Sequence, residues 1–139
     1  MFSSPKTRRY ATASLLLAIL GLGLTCLLAL NSAKESSRAT DCLSNVHGIG
    51  FVCAMYAESH DGRLPRNFDD LTNELSSTKI LICPSAKDQT HYSYAFTGLT
   101  NVWGVSSNVI ILSEIRPNHH GRRVLLYDDG HVELKRETR

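Results

Sequence analysis

The chain reads as an α+β protein, a long N-terminal helix packed on a small antiparallel sheet, and two observations predict it. Apolar residues keep helical spacing through the first sixty or so positions, whereas short apolar runs separated by turn residues fill the second half. Helical segments that precede strands, rather than alternate with them, favour an antiparallel sheet with the helix on one face. At 139 residues the chain has room for one core and not two.

The helix is predicted from about Tyr10 to Glu58. Its first half, ATASLLLAILGLGLTCLLAL from Ala11 to Leu30, carries no charge. About twenty such residues cross a hydrocarbon layer of roughly 30 Å. Lys6, Arg8 and Arg9 precede it, while Lys34, Glu35 and Arg38 beyond it are mixed in sign. The positive-inside bias therefore places residues 1–9 in the cytoplasm, 10–33 in the membrane and 34–139 outside it. A cleaved signal peptide is the competing reading. It fits less well because the apolar run exceeds the usual length of about 7–15 residues, and Asn31-Ser32-Ala33 makes a poor cleavage site. A lipoprotein site at Cys26 is disfavoured by the Gly23-Leu24-Thr25 before it.

Past the span, Cys42, Val46, Ile49, Cys53 and Tyr56 recur in steps of four, three, four and three, one stripe on a helix. Gly48 and Gly50 interrupt it, each about 1 kcal/mol worse than Ala in a helix, so close packing is expected there. Gly62 and Pro65 end the helix. Asn67 to Leu75 is expected as a short helix capped by Asn67, with Phe68, Leu71 and Leu75 on one side. Strands are then expected at 79–84, 91–96, 108–113, 123–127 and 131–135, the last two joined by an Asp129-Gly130 hairpin turn.

A net charge of +2 with interspersed signs gives no basic stripe, so no nucleic-acid partner is expected. Of the four cysteines, Cys26 falls in the span, leaving Cys42, Cys53 and Cys83 in an oxidising compartment. Cys42 and Cys53 lie about three turns apart on one helix and cannot bridge. Cys83 is then left to pair with one of them, and Cys42 is favoured because closing a loop of about forty residues contributes roughly 4 kcal/mol. Three buried free thiols are the alternative.

The stretch HHGRRVLLYDDGHVELK invites a metal site, with Glu114, His119, His120, Asp128, Asp129 and His131 as donors. No fixed-spacing ligand motif supports it, and a hairpin accounts for the same residues, so no metal is assigned. No Gly-x-Ser-x-Gly elbow is present, and no enzymatic activity is assigned. A hydrolase built on His119, Asp129 and His131, and a ligand-sensing module on a membrane stalk with a pocket near His91, Tyr94 and Trp103, are the competing functions.

Several motifs in order resemble a known family. They are Cys42-Leu43-Ser44-Asn45-Val46, Tyr56-Ala57 before His60-Asp61-Gly62-Arg63-Leu64-Pro65, Leu81-Ile82-Cys83-Pro84-Ser85, Tyr92-Ser93-Tyr94, and His119 followed after nine residues by Asp129-Gly130-His131-Val132-Glu133. Together they resemble the type II secretion G-type pseudopilin-like proteins with a C-terminal His, nine-residue, Asp-Gly signature. The resemblance implies a pilin-like fold, residence in the bacterial inner membrane, pilin-like or secretion-system partners, and a structural rather than catalytic role. It also implies a Ca²⁺ loop near Asp128 and Asp129, although so short a turn offers few of the six to eight oxygens required. The family's peptidase site, Gly before Phe-Thr-Leu-x-Glu, is lost here: with Tyr10 in place of the Phe, Arg9 stands at the Gly and Ser14 at the Glu. An uncleaved protein that assembles poorly into filaments is the expectation.

Overall fold

A computed structural model of the chain describes residues 5–98, 101–104 and 106–136, with side chains from residue 14 onward. The first four residues of the basic segment 1–9 thus lie outside the described residues. One helix, α1 (Pro5–Ser59), runs without a break through both predicted halves. Four strands follow: β1 (Tyr94–Phe96), β2 (Ile110–Glu114), β3 (Arg122–Tyr127) and β4 (Val132–Arg136). They form one antiparallel sheet in chain order, β1-β2-β3-β4.

The chain divides into two units. The first is Met1–Ser36, and its described residues are all helical. From Leu15 to Leu30 its leucines are 60% exposed or more. By length and composition this helix can cross a membrane.

The second unit, Ser37–Arg139, holds the core. The helical stripe predicted from spacing supplies it: Cys42, Val46, Ile49 and Cys53 are fully buried, and Tyr56 packs at the margin. The sheet contributes Tyr94, Ile111, Leu112, Val124 and Leu126. Gly50 lets the two layers meet, since a Cβ there would stand 2.9 Å from Leu126 Cδ1. Gly48 differs. A Cβ there would make an ordinary 3.9 Å contact with Ile80, so close packing explains only Gly50.

In the hairpin β3–β4, Val124 faces Leu134 and Leu126 faces Val132, which puts the alternating apolar residues on one side. Gly130 adopts φ 87° in the turn, as the Asp-Gly pair predicts. β3 is central, and Leu125 and Tyr127 on its other side are buried as well.

Three expected elements are shorter or different. Asn67 does cap the following segment, accepting from Asp70 N–H, and Asp70 returns the favour to the Arg66 N–H. The segment is nevertheless a single 3-10 turn, Phe68–Leu71, because so few residues cannot offset helix nucleation. The expected strand at 79–84 is a 3-10 turn, Thr78–Leu81, capped by the Ser77 hydroxyl on Lys79 N–H. Its apolar residues are buried by docking on the core rather than by pairing in the sheet. The strand expected over 91–96 begins only at Tyr94: the Ser93 N–H turns to Leu81 O and its hydroxyl accepts from the Cys83 N–H, while its carbonyl still accepts from the Ile115 N–H.

Candidate functional site

The densest gathering of chemically capable side chains lies where α1, the 81–83 segment and the end of β2 meet. Cys42 from α1 and Cys83 are joined by a disulfide, with Cα atoms 5.4 Å apart. Cys53, further along the same helical stripe, stays a buried free thiol. Desolvation by burial pushes its pKa up to about 12.

His119 reaches the disulfide from the β2–β3 connection. Its Nε2 stands 3.3 Å from Cys83 Sγ. The backbone achieves this with a tight reversal: His119 and Arg122 exchange N–H···O bonds of 3.3 and 3.1 Å, while His120 and Gly121 take φ of 53° and 77°. Two successive positive φ values are the signature of the favoured two-residue hairpin loop. The sequence signal for this turn is the His120-Gly121 pair ahead of the β3 apolar run, which apolar spacing alone does not mark.

Glu114 ends β2, fully buried, with Oε1 3.7 Å from His119 Nε2. Its carboxylate is not idle. Oε1 accepts from Asn118 Nδ2 at 2.8 Å and Oε2 accepts from the Val124 N–H at 3.2 Å. Burial raises its pKa, and the two hydrogen bonds together with the charges of His119 and Arg123 act in the opposite sense. Tyr94, opposite Glu114 in the sheet register, is shifted upward too, first by burial and then by the Glu114 charge.

The residues considered for a metal therefore divide between the two ends of β3. Glu114 and His119 come together at one end. Asp128, Asp129 and His131 lie beyond the other, past a six-residue strand of roughly 16 Å, and do not join them. Asp128 is buried and takes the N–H groups of Gly104 and Ser106 on its two carboxylate oxygens, both at 3.0 Å. Those donors occupy the places where Ca²⁺ would need further oxygens, so the loop fits a backbone clamp and not a Ca²⁺ site. Asp129 bonds the His131 ring and backbone N–H, which holds its pKa below the usual carboxylate range, while His131 stacks on Tyr127. His120 points to solvent. In place of the expected donors, Cys42, Cys83, Glu114 and His119 present atoms within 4.8 Å of one another, the only such group among the described residues.

A cleft of about 620 Å³ opens beside this cluster, lined by Lys87, Asp88, His91, Tyr92, Arg116 and Asn118 among others. Of the residues considered for a ligand pocket, only His91 lines it. Tyr94 is in the core, and Trp103 lies by Gly130. Ser93 and Asn118 form part of the cleft wall and also bond to Cys83 N–H and Glu114, so one layer of side chains separates the cleft from the disulfide.

No protein-family model, curated protein or solved structure matches the chain.

Proposed function

We propose that the protein is a membrane-anchored, pseudopilin-like structural or assembly component, held in the bacterial inner membrane by an uncleaved N-terminal helix with its C-terminal body outside the cytoplasm. The carrying observation is that α1 continues unbroken from an apolar, exposed segment into the helix that forms the core of the sheet-bearing body. A cleaved leader would need no such continuity. The disulfide supports an extracytoplasmic body, and the ordered motifs support the pilin-like assignment. Phe51 and Met55, four residues apart and exposed on α1, are the positions at which a neighbouring pilin-like or secretion-system subunit would first make contact. Catalysis and nucleic-acid binding have no part in this reading.

Crosslinking from positions 51 and 55 in native membranes, followed by mass spectrometry, tests it. Capture of pilin-like or secretion-system subunits, and an intact N-terminus ahead of Tyr10, are expected. A methylated new N-terminus at Tyr10 would overturn the uncleaved topology. A second reading, a ligand-sensing module on a membrane stalk, is favoured by the cleft with His91 at its rim, and crosslinking that yields no subunit partner would turn attention to it.

A further inference from the structure

We infer that Cys42, Cys83, His119 and Glu114 form a redox-gated site for a soft divalent cation, closed while the disulfide is intact and able to hold zinc once it is reduced.

Two thiolates, an imidazole and a carboxylate form a donor set suited to tetrahedral Zn²⁺ and unsuited to Ca²⁺ or Mg²⁺. The four residues are each 0% exposed and their donor atoms lie within 4.8 Å. Around a tetrahedral ion, donors at about 2.0–2.3 Å stand roughly 3.3–3.8 Å apart. His119 Nε2 already meets that spacing against both Cys83 Sγ, at 3.3 Å, and Glu114 Oε1, at 3.7 Å. Reduction frees the two sulfurs, now bonded to each other, to settle at that spacing, and the remaining donor pairs start within 4.8 Å.

The surroundings also prepare the ligands. Asn118 and the Val124 N–H orient the Glu114 carboxylate, and metal ligands are commonly fixed in this way by outer hydrogen bonds. Two thiolates and one carboxylate around a dication leave one net negative charge. The guanidinium of Arg123, bonded through Nη1 to the Glu114 carbonyl at 3.2 Å, is placed to offset it.

The step balances with a dithiol as reductant. Its two thiols transfer two electrons and two protons to the Cys42–Cys83 bond and become a disulfide themselves. The sulfur–sulfur bond breaks into two thiols, and binding of the cation then releases their two protons to solvent. The ion takes the place of the covalent link between α1 and the 81–83 segment, so the body keeps its tie in either redox state. This inference is independent of membrane partners.

Cobalt(II) is the probe, added anaerobically to the full chain in detergent micelles before and after reduction with a phosphine that is then removed. The reduced chain is expected to bind one cobalt with a thiolate charge-transfer band and the intense visible bands of tetrahedral coordination, displaceable by zinc. The oxidised chain should show neither. Asn118→Ala should weaken affinity about 10–100-fold, His119→Gln and Cys42→Ser should abolish the tetrahedral spectrum, and Cys53→Ala should retain it. Circular dichroism with and without the ion covers variants that fold poorly. The inference fails if the reduced chain gives no tetrahedral spectrum, if the oxidised chain gives the same one, or if Cys53→Ala loses it while His119→Gln keeps it. A reduced chain that unfolds and is not refolded by cobalt overturns it too.

Discussion

Leu126 of β3 and Gly50 of α1 approach so closely that a single added carbon on the helix would sit 2.9 Å from the leucine Cδ1. Leu126 is fully buried and has little room to turn away. Gly50→Ala should therefore destabilise the body by about 1 kcal/mol net, overpacking of roughly 2 kcal/mol outweighing a helix-propensity gain of about 1. Gly48→Ala, whose added carbon would meet only Ile80 at an ordinary 3.9 Å, should stabilise by about 0.5–1 kcal/mol. Denaturant midpoints of the two variants would show the opposite signs, and equal signs would refute the packing argument.

The Cys42–Cys83 bridge closes a sequence separation of 41 residues. Reduction with a chelator present should cost about 4 kcal/mol, seen as a lower melting temperature of the reduced chain. A reduced chain that melts with the oxidised one would mean that this link carries no stability.

Asp128 holds the loop after residue 101 through two backbone N–H groups. Replacing it with Ala should cost about 1–2 kcal/mol and open that loop to proteolysis, while Asp128→Asn, which keeps one acceptor, should lose about half as much. Limited proteolysis with mapping of the first cut site provides the check.

Cys53 gives the alkaline limb of stability a definite sign. Its folded pKa, about 12, lies above the ordinary 9.0, so the unfolded chain releases this proton first and stability falls as pH rises through that window. Near pH 10.5 the loss amounts to about 2 kcal/mol. Below pH 9 it should vanish. Cys53→Ala should show a flatter alkaline limb, and the native thiol should resist maleimide until the chain unfolds.

Much of this arrangement was legible in the residues. The stripe Cys42, Val46, Ile49, Cys53 and Tyr56 is a periodic signal, and periodicity survives folding because a helix buries whatever it repeats. Reach excluded a Cys42–Cys53 bridge, the entropy of closing a loop of about forty residues favoured Cys42 over Cys53 as the partner of Cys83, and the disulfide joins that pair. The turn at Gly130 followed from glycine's freedom at positive φ. The segment 79–84 misled because an apolar run tells only that side chains are buried, and a Ser77 cap with a disulfide anchor buries them without a ladder. The cluster itself was half visible. Glu114 and His119 were singled out, but with Asp129 and His131, because neighbours in sequence looked like neighbours in space. β3 runs between them and carries the two sets apart.

The order of the sheet has a consequence for how the molecule is made. Each strand lies beside the one synthesised just before it, so the meander can zip up hairpin by hairpin as the polypeptide is made, needing no distant segment to begin. Only the helix must wait. Its buried stripe is delivered first and stays uncovered until β2 and β3 arrive, and during that interval the cell would have most reason to shield it.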